Sequence, residues 1–478
     1  MAKLDLWKRV CAVLLLLVAM AIASPAQTFT TLASFDKADG AQPAFASLAQ
    51  GLDGSLYGTT RFGGNNTSYR SKGYGTFFRV TPGGTLTTLY KFCARANCPD
   101  GETPQGGVVL GTDGNFYGTT ELGGVLNFEG FSSSVFKVSA GGVLTTYPLE
   151  SEEPFSAPVQ ATNGSFYGTT AAGGEGAGTV FAMTPQGTVT TLYKFCSTDS
   201  CRDGSHPIAG LTQGTDENFY GTTSSGGAAN AGTVFAVTTG GRLNRLHSFN
   251  TTDGADPHAE LIQASDGNFY GTTELGGANG GGTVFQITPE GTLTTLHNFC
   301  TLANCADGET PVAGLVQATD GNLYGTTELG GANGSGTIFQ ITTGGTLATL
   351  YSFCAQAMCA DGEKPEAGLV QGTDGSFYGA ASVGGTGNVG TVFSLSMGLG
   401  PFVKTLPTFG NVGGSTDILG TNLTGATAVS FNGTPAAFTV VSATEITTTV
   451  PTGATTGFVI VTTPSGTLTS DVAFQVGR

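Results

Sequence analysis

Charge is what this chain has least of. Only 11% of its 478 residues are Asp, Glu, Lys or Arg, and there are four histidines. Acids outnumber bases 34 to 18, which leaves no basic patch for nucleic acid or an anionic membrane. Helical periodicity is missing, and no glycine-rich turn leads into a Lys-Ser/Thr helix, which excludes a phosphate loop. The single tryptophan, Trp7, lies in the first 26 residues. Beyond those 26, no apolar run is long enough to span a bilayer. Glycine is abundant instead, with 77 residues, and so much glycine with so little charge describes a turn-rich all-β chain.

Residues 1–26 have the form of a signal peptide. Lys3, Lys8 and Arg9 make a basic start, and Val10–Ala23 is apolar but short for a membrane span. Ala21-Ile22-Ala23 and Ser24-Pro25-Ala26 both offer small-residue cleavage sites; an uncleaved anchor helix is the rival reading. The remainder, with 15 basic and 33 acidic residues, is expected to be secreted or held at the cell surface, as a monomer.

Seven near-identical phrases follow, from GSLYGTT to GSFYGAA. Their tyrosines are Tyr57, Tyr117, Tyr167, Tyr220, Tyr270, Tyr324 and Tyr378, with steps of 60, 50, 53, 50, 54 and 54 residues. A fixed period near fifty means one unit repeated, stacked so that each copy covers its neighbour's apolar face. The sixth copy shows four runs of strand character: Thr292–Phe299, Val312–Ala318, Asn322–Thr327 and Thr337–Thr342. An Asp-Gly turn separates the second run from the third. Four antiparallel strands per unit, seven times over, predicts a seven-bladed β-propeller; a linear β-solenoid is the competitor. The array opens with Thr28–Phe35, a copy of the first strand type, and closes with Gly390–Leu395, a copy of the last. In a ring, the opening strand would complete the final sheet.

Eight cysteines form four Cys-x4-Cys pairs, Cys93/Cys98, Cys196/Cys201, Cys300/Cys305 and Cys354/Cys359. The repeat steps that contain a pair are longer than the two 50-residue steps that lack one, so both partners arrive in one small insertion. Each pair is therefore read as a local disulfide, in keeping with export. A metal site is the alternative, but zinc usually requires a second cluster or histidines.

The phrase DGNLYGTT…GG…GGTVFQITPEGTLTTL resembles the Gloeo/Verruco tandem repeat of bacterial exported proteins, over residues 28 to about 398. Residues 401–478 change in composition and carry five charged side chains, Lys404, Asp417, Glu445, Asp471 and Arg478. Short alternating runs at regular spacing there suggest an immunoglobulin-like β-sandwich. The stretch GNVGGSTDILGTNLTGATAVSFNGTPAAFTVVSATEITTTVPTGATTGFVIVTTPSG closely resembles an IPT/TIG domain, and this resemblance implies a spacer or adhesion module. The expected organisation is a signal peptide (1–26), a seven-repeat propeller closed by its N-terminal strand (27–400) and the Ig-like domain (401–478).

Two sets of loops should meet on one face of such a ring. One carries Asp100, Glu102, Asp203, Asp307, Glu309, Asp361 and Glu363; the other carries Glu121, Glu274 and Glu328. They are read as an acidic recognition face for a glycan, a protein or a divalent cation such as calcium, the alternative being solvated turn residues. Glutamine recurs on the innermost strand at Gln50, Gln160, Gln213, Gln263, Gln317 and Gln371, with Leu110 in the second copy. It either lines a channel or satisfies backbone groups. His247 and His297 replace tyrosines on one strand type, and His206 and His258 flank prolines, so no catalytic constellation emerges and no cofactor motif is present. The expected function is an exported, non-catalytic binding or surface-interaction protein; a polysaccharide lyase or glycosidase and a structural surface-layer protein are the alternatives.

Overall fold

The computed structural model describes residues 27–43, 45, 47–64, 72–124, 133–149, 153–174 and 176–477. The expected signal peptide lies outside the described residues. Among those residues no helix is long and apolar enough to cross a membrane.

Each repeat becomes one four-stranded antiparallel sheet, and the reason is visible in the sixth copy. Its strands are Val316–Gln317, Leu323–Thr327, Thr337–Ile341 and Leu347–Ser352, hydrogen-bonded in that order. The Asp-Gly turn is fastened by its own tyrosine: the Tyr324 hydroxyl donates to Asp320 Oδ2 at 2.8 Å. The same bond joins Tyr57 to Asp53, Tyr117 to Asp113, Tyr220 to Asp216, Tyr270 to Asp266 and Tyr378 to Asp374. In the third copy Asn163 donates to Tyr167 instead. The glycine after the tyrosine is required by contact, since a Cβ on Gly325 would lie 2.7 Å from the Phe339 ring. On the threonines that follow, Thr327 Oγ1 meets Thr337 Oγ1 at 2.9 Å and donates to the Leu329 carbonyl, so these buried hydroxyls are satisfied.

The innermost strand differs from expectation. Val312–Ala318 reads as a full strand, but only Val316–Gln317 pairs. Pro311 has no N–H for a ladder, and residues 312–314 line a central cavity rather than pairing with a neighbour.

The fold is all-β, and its helical content among the described residues is three single turns that end at Cys201, Cys305 and Cys359. All three are 3₁₀ turns, Asp199–Cys201, Ala303–Cys305 and Ala357–Cys359. The cause is the short cystine loop, whose two Cα atoms stand 4.0 Å apart in the Cys196/Cys201, Cys300/Cys305 and Cys354/Cys359 pairs. Only a tight turn brings residues five apart so close. Its middle residues Ser200, Asn304 and Met358 take φ of 59°, 57° and 56°, and Cys201 and Cys359 follow at 50° and 49°. A turn of three residues leaves no periodicity to read in the sequence.

Among the described residues the repeats form seven four-stranded sheets. Each tyrosine reaches into the next sheet: Tyr57 stacks on Phe116 at 4.2 Å and Tyr220 on Phe269 at 3.9 Å, while Tyr117 meets Phe166 at 4.0 Å and Tyr324 meets Phe377 at 4.2 Å with tilted rings. Such pairs are worth roughly 0.5–1.5 kcal/mol beyond the area they bury. Six apolar clusters each bridge two successive sheets. A seventh joins the last sheet, through Tyr378 and Val392, to the first, through Leu56, Phe78 and Val80. The packing closes into a ring. Thr28–Ser34 pairs antiparallel with Thr391–Ser396 and supplies the fourth strand of the final sheet.

The inner glutamines are structural amides. Gln213 Oε1 accepts from the Thr162 backbone N–H at 2.9 Å, and Gln263, Gln317 and Gln371 repeat the bond one sheet further along. Gln160 reaches Thr112 in the same way. The side-chain amides then donate to turn carbonyls of their own repeats, as Gln317 does to Gly321.

The C-terminal residues form two more four-stranded sheets. One contains Lys404–Leu406, Ser415–Leu419, Glu445–Thr449 and Phe438–Val440; the other contains Thr434–Ala436, Ala428–Phe431, Val459–Thr463 and Gly466–Thr469. Ile418, Val429, Phe431, Ile446, Val461 and Phe474 fill one core between them. This unit docks on the ring: Thr444 Oγ1 donates to the Leu52 carbonyl at 2.8 Å, and Lys404 Nζ donates to the Gln371 carbonyl at 2.6 Å. Burial pushes the Lys404 ammonium below its usual range, an effect that Asp471 and Asp374 partly oppose.

Candidate functional site

Every repeat contributes the same two positions to a cavity of about 680 Å³. The first is the residue after the repeat's proline, or two after it in the first copy: Phe45, Gln105, Phe155, Ile208, His258, Val312 and Glu366. The second lies two residues on: Ser47, Gly107, Ala157, Gly210, Glu260, Gly314 and Gly368. Because all seven copies share in both, the cavity follows the axis of the ring. Thr408, Phe409 and Gln475 of the C-terminal unit also line it, beside turn residues such as Thr215 and Glu217.

The backbone just before each proline is strained in the same way seven times. Gln42, Thr103, Glu153, His206, Asp256, Thr310 and Lys364 all have φ between 52° and 61°. Such residues cost about 1–3 kcal/mol and persist only when their surroundings hold them. At Asp256 the N–H donates to the Ala231 carbonyl at 3.0 Å, and the Asp256 carbonyl accepts from Glu274 N at 3.1 Å. The pre-proline residue, the cavity-lining residue and the residue after the Thr-Thr pair are thereby brought to one mouth.

Charged groups gather there. Lys364 Nζ meets Glu328 Oε1 at 2.6 Å, Arg61 lies 3.6 Å from Glu121, and Gln105 Nε2 donates to Glu121 at 2.5 Å. His258 Nε2 stands 3.0 Å from Asp256 Oδ1 and 3.2 Å from Glu274 Oε2. Burial, and next the Glu328 carboxylate, push Glu366 up to about 7, although Ser382, Lys364 and Arg61 oppose the shift. Glu274 is raised by burial and by Asp256 and Glu328, with His258 pulling it back. Glu260 is exposed to the cavity, and the protein around that cavity desolvates its carboxyl enough to raise it.

The family model of the Gloeobacter/Verrucomicrobia repeat matches residues 18–202, 153–393 and 301–450. The chain belongs to the Gloeobacter/Verrucomicrobia repeat family. No curated protein matches it. Among solved structures, a putative 6-phosphogluconolactonase from Bacteroides uniformis is 18% identical, over 71% of this chain and 91% of its own, with a TM-score of 0.45. A fungal alcohol oxidase of the AA5 family, solved with copper, is 13% identical over 94% of this chain and 99% of its own, with a TM-score of 0.49. A putative gluconolactonase is 12% identical over 79% and 94%, with a TM-score of 0.35.

In this Gloeobacter/Verrucomicrobia repeat protein the ten carboxylates expected on one face divide into three groups. Asp100, Asp203, Asp307 and Asp361 are buried and anchor the cystine loops. Tyr90, Tyr193 and Tyr351 each donate to theirs at 2.7 Å, and His297 meets Asp307 at 3.1 Å. Burial alone would raise Asp203 and Asp307, but hydroxyl and backbone donors hold both below the ordinary aspartate range. Glu102, Glu309 and Glu363 sit where the two loop sets do meet, in backbone bridges to Leu122, Leu329 and Val383. Only Glu121, Glu274 and Glu328 reach the mouth.

All four cysteine pairs, Cys93/Cys98, Cys196/Cys201, Cys300/Cys305 and Cys354/Cys359, are disulfides. The clusters of Cys93, Cys98 and Glu102 and of Cys300, Cys305 and Glu309 therefore offer no thiolate to a metal. The second cysteines also act through their backbone: the carbonyls of Cys201 and Cys359 accept from Gly204 and Gly227 and from Gly362 and Gly385 at 2.9–3.0 Å. They tie each cystine loop to the glycine pair of the facing loop, and none of the eight cysteines lines the cavity. Sequence reasoning missed Glu366, Glu260, Arg61, Lys364 and Gln105 and set His258 aside. The signal was there: on both sides of the proline the residues change from copy to copy while the phrases around them stay nearly the same.

Proposed function

We propose that this chain is an extracytoplasmic binding protein: a seven-bladed propeller closed by its N-terminal strand, carrying an Ig-like domain of IPT/TIG type that covers one end of the central channel. Its ligand is a saccharide held at the opposite mouth. The observation that carries this reading is the lining of that mouth, where Phe45, Phe155 and Ile208 stand in one ring with Gln105, His258 and Glu366. Sugar rings present apolar C–H faces and hydroxyl edges together, and a pocket that offers apolar side chains beside carboxylates and amides suits both. The four disulfides are consistent with an extracellular location. Residues 1–26 are assigned as the signal that takes the chain there.

A glycan array probed with the whole mature chain tests the proposal. Binding to a defined saccharide class, lost in Phe155→Ala and Gln105→Ala, is the expected outcome; an array with no bound member sinks it.

A catalytic reading has one observation in its favour. Glu366, which holds its proton to about pH 7, stands near Glu328, a carboxylate paired with Lys364 at 2.6 Å. A proton donor beside a carboxylate is the equipment of glycoside cleavage. Turnover of a polysaccharide that is abolished in Glu366→Gln would favour the enzyme over the binding module.

A further inference from the structure

Three side chains at the mouth converge on a single point. Asp256 Oδ1 and Glu274 Oε2 lie 3.0 and 3.2 Å from His258 Nε2, and all three atoms fall within 4.8 Å of one another. An imidazole Nε2 carries at most one proton, so it can donate to only one of these carboxylates at a time. The other is left as a like-charged neighbour. Atoms that share one cation at 2.0–2.2 Å stand about 3.0–3.4 Å apart, and both carboxylate oxygens lie at that spacing from His258 Nε2.

The fold does not require these residues. At the same three positions the sixth copy has Thr310, Val312 and Glu328, and the fourth has His206, Ile208 and Ser224. Those copies build the same sheet with the same register. Among the seven copies only the fifth places a nitrogen ligand and two carboxylates together. Two of the three are also held by the backbone bond from Glu274 N to the Asp256 carbonyl.

We propose that Asp256, His258 and Glu274 form a binding site for one divalent transition-metal cation, of the manganese-to-zinc class, at the mouth of the central channel. The imidazole selects against calcium, which takes oxygen ligands. Three protein ligands leave coordination positions open, and His258 lines the cavity, so those positions are accessible to water or to a ligand's oxygen. No thiolate competes, because the eight cysteines are paired. The site is independent of whether the mouth binds a saccharide.

The test is calorimetric titration of the whole metal-free mature chain with zinc, manganese and calcium salts, together with melting curves. One equivalent of zinc or manganese should bind and raise the melting temperature, with calcium far weaker. The triple variant Asp256→Thr, His258→Val, Glu274→Ser borrows residues that other copies carry at these positions, so its sheet should form. Circular dichroism would verify that. It should lose at least about 100-fold in zinc affinity. The proposal is overturned if zinc and manganese do not bind, if binding survives in the folded triple variant, or if calcium binds as tightly as zinc. None of these readouts involves a glycan, so failure here is separable from failure on the array.

Discussion

Gln50 Oε1 accepts a 3.0 Å hydrogen bond from the Thr373 backbone N–H, joining residues 323 positions apart. The Gln50 amide also donates to Thr373 Oγ1 at 3.2 Å. This is the bond that each inner glutamine makes to the preceding sheet, here made across the seam where the last sheet meets the first.

Replacing Gln50 by leucine tests that seam. Leucine stands at the equivalent place in the second copy, as Leu110, so the side chain fits. The substitution strands the Thr373 N–H and should cost about 1–2 kcal/mol. Urea denaturation of the mature chain measures it, and an unchanged midpoint would show that the clamp contributes nothing.

Phe29 tests the closing strand. Its ring stacks on Tyr351 at 3.9 Å and lies 5.4 Å from Phe393, bridging the sixth and seventh sheets. Because Phe29 is only half-buried, Phe29→Ala should cost about 2–3 kcal/mol, below the range for fully buried phenylalanine. Cleavage near Thr391–Ser396 in limited proteolysis should accelerate with it. Deleting residues 27–34 should have the larger effect on both.

Met358 should be improvable. It is 93% exposed in the last cystine loop and has φ of 56°, where Asn97 and Asn304 occupy the matching positions. Asparagine tolerates this left-handed conformation better than methionine. Met358→Asn should therefore stabilise the chain by about 0.5–1 kcal/mol, seen as a raised melting temperature.

Much of the ring was legible because its cause is local and repeated. The Asp-Gly-x-x-Tyr-Gly phrase specifies a turn, a hydroxyl-to-carboxylate bond and a close approach to phenylalanine, and each repeat restates it. Disulfide pairing was legible because both cysteines arrive in one insertion, whereas the single helical turns that end at Cys201 and Cys359 were too short to register. The carboxylates were harder to read. Asp100, Asp203, Asp307 and Asp361 look like exposed turn acids until one notices that Tyr90, Tyr193, His297 and Tyr351 each precede them by ten residues. That constant spacing marks a buried bond. The mouth was least legible, since Glu366 and His258 are brought together by the seven-fold ring and not by any neighbour in sequence.

Glu366 should leave a mark on the pH dependence of stability. Its carboxyl titrates at about 7 in the folded chain against an ordinary value of 4.5. Between those values the native state keeps a proton that the unfolded chain has released. The stability this group contributes is complete below pH 4.5 and drains away as pH rises through 7. In Glu366→Gln the decline in melting temperature between pH 5 and 7.5 should flatten. A slope identical to that of the unaltered protein would refute the assignment.

The pairing of Thr28–Ser34 with Thr391–Ser396 also sets the order of assembly. The earliest-made segment of the ring must wait, with its hydrogen-bonding edge bare, until some 360 further residues have been synthesised. An incomplete chain cannot finish the circle, so truncated products are left with an open, adhesive border that invites proteolysis or pairing with a second molecule.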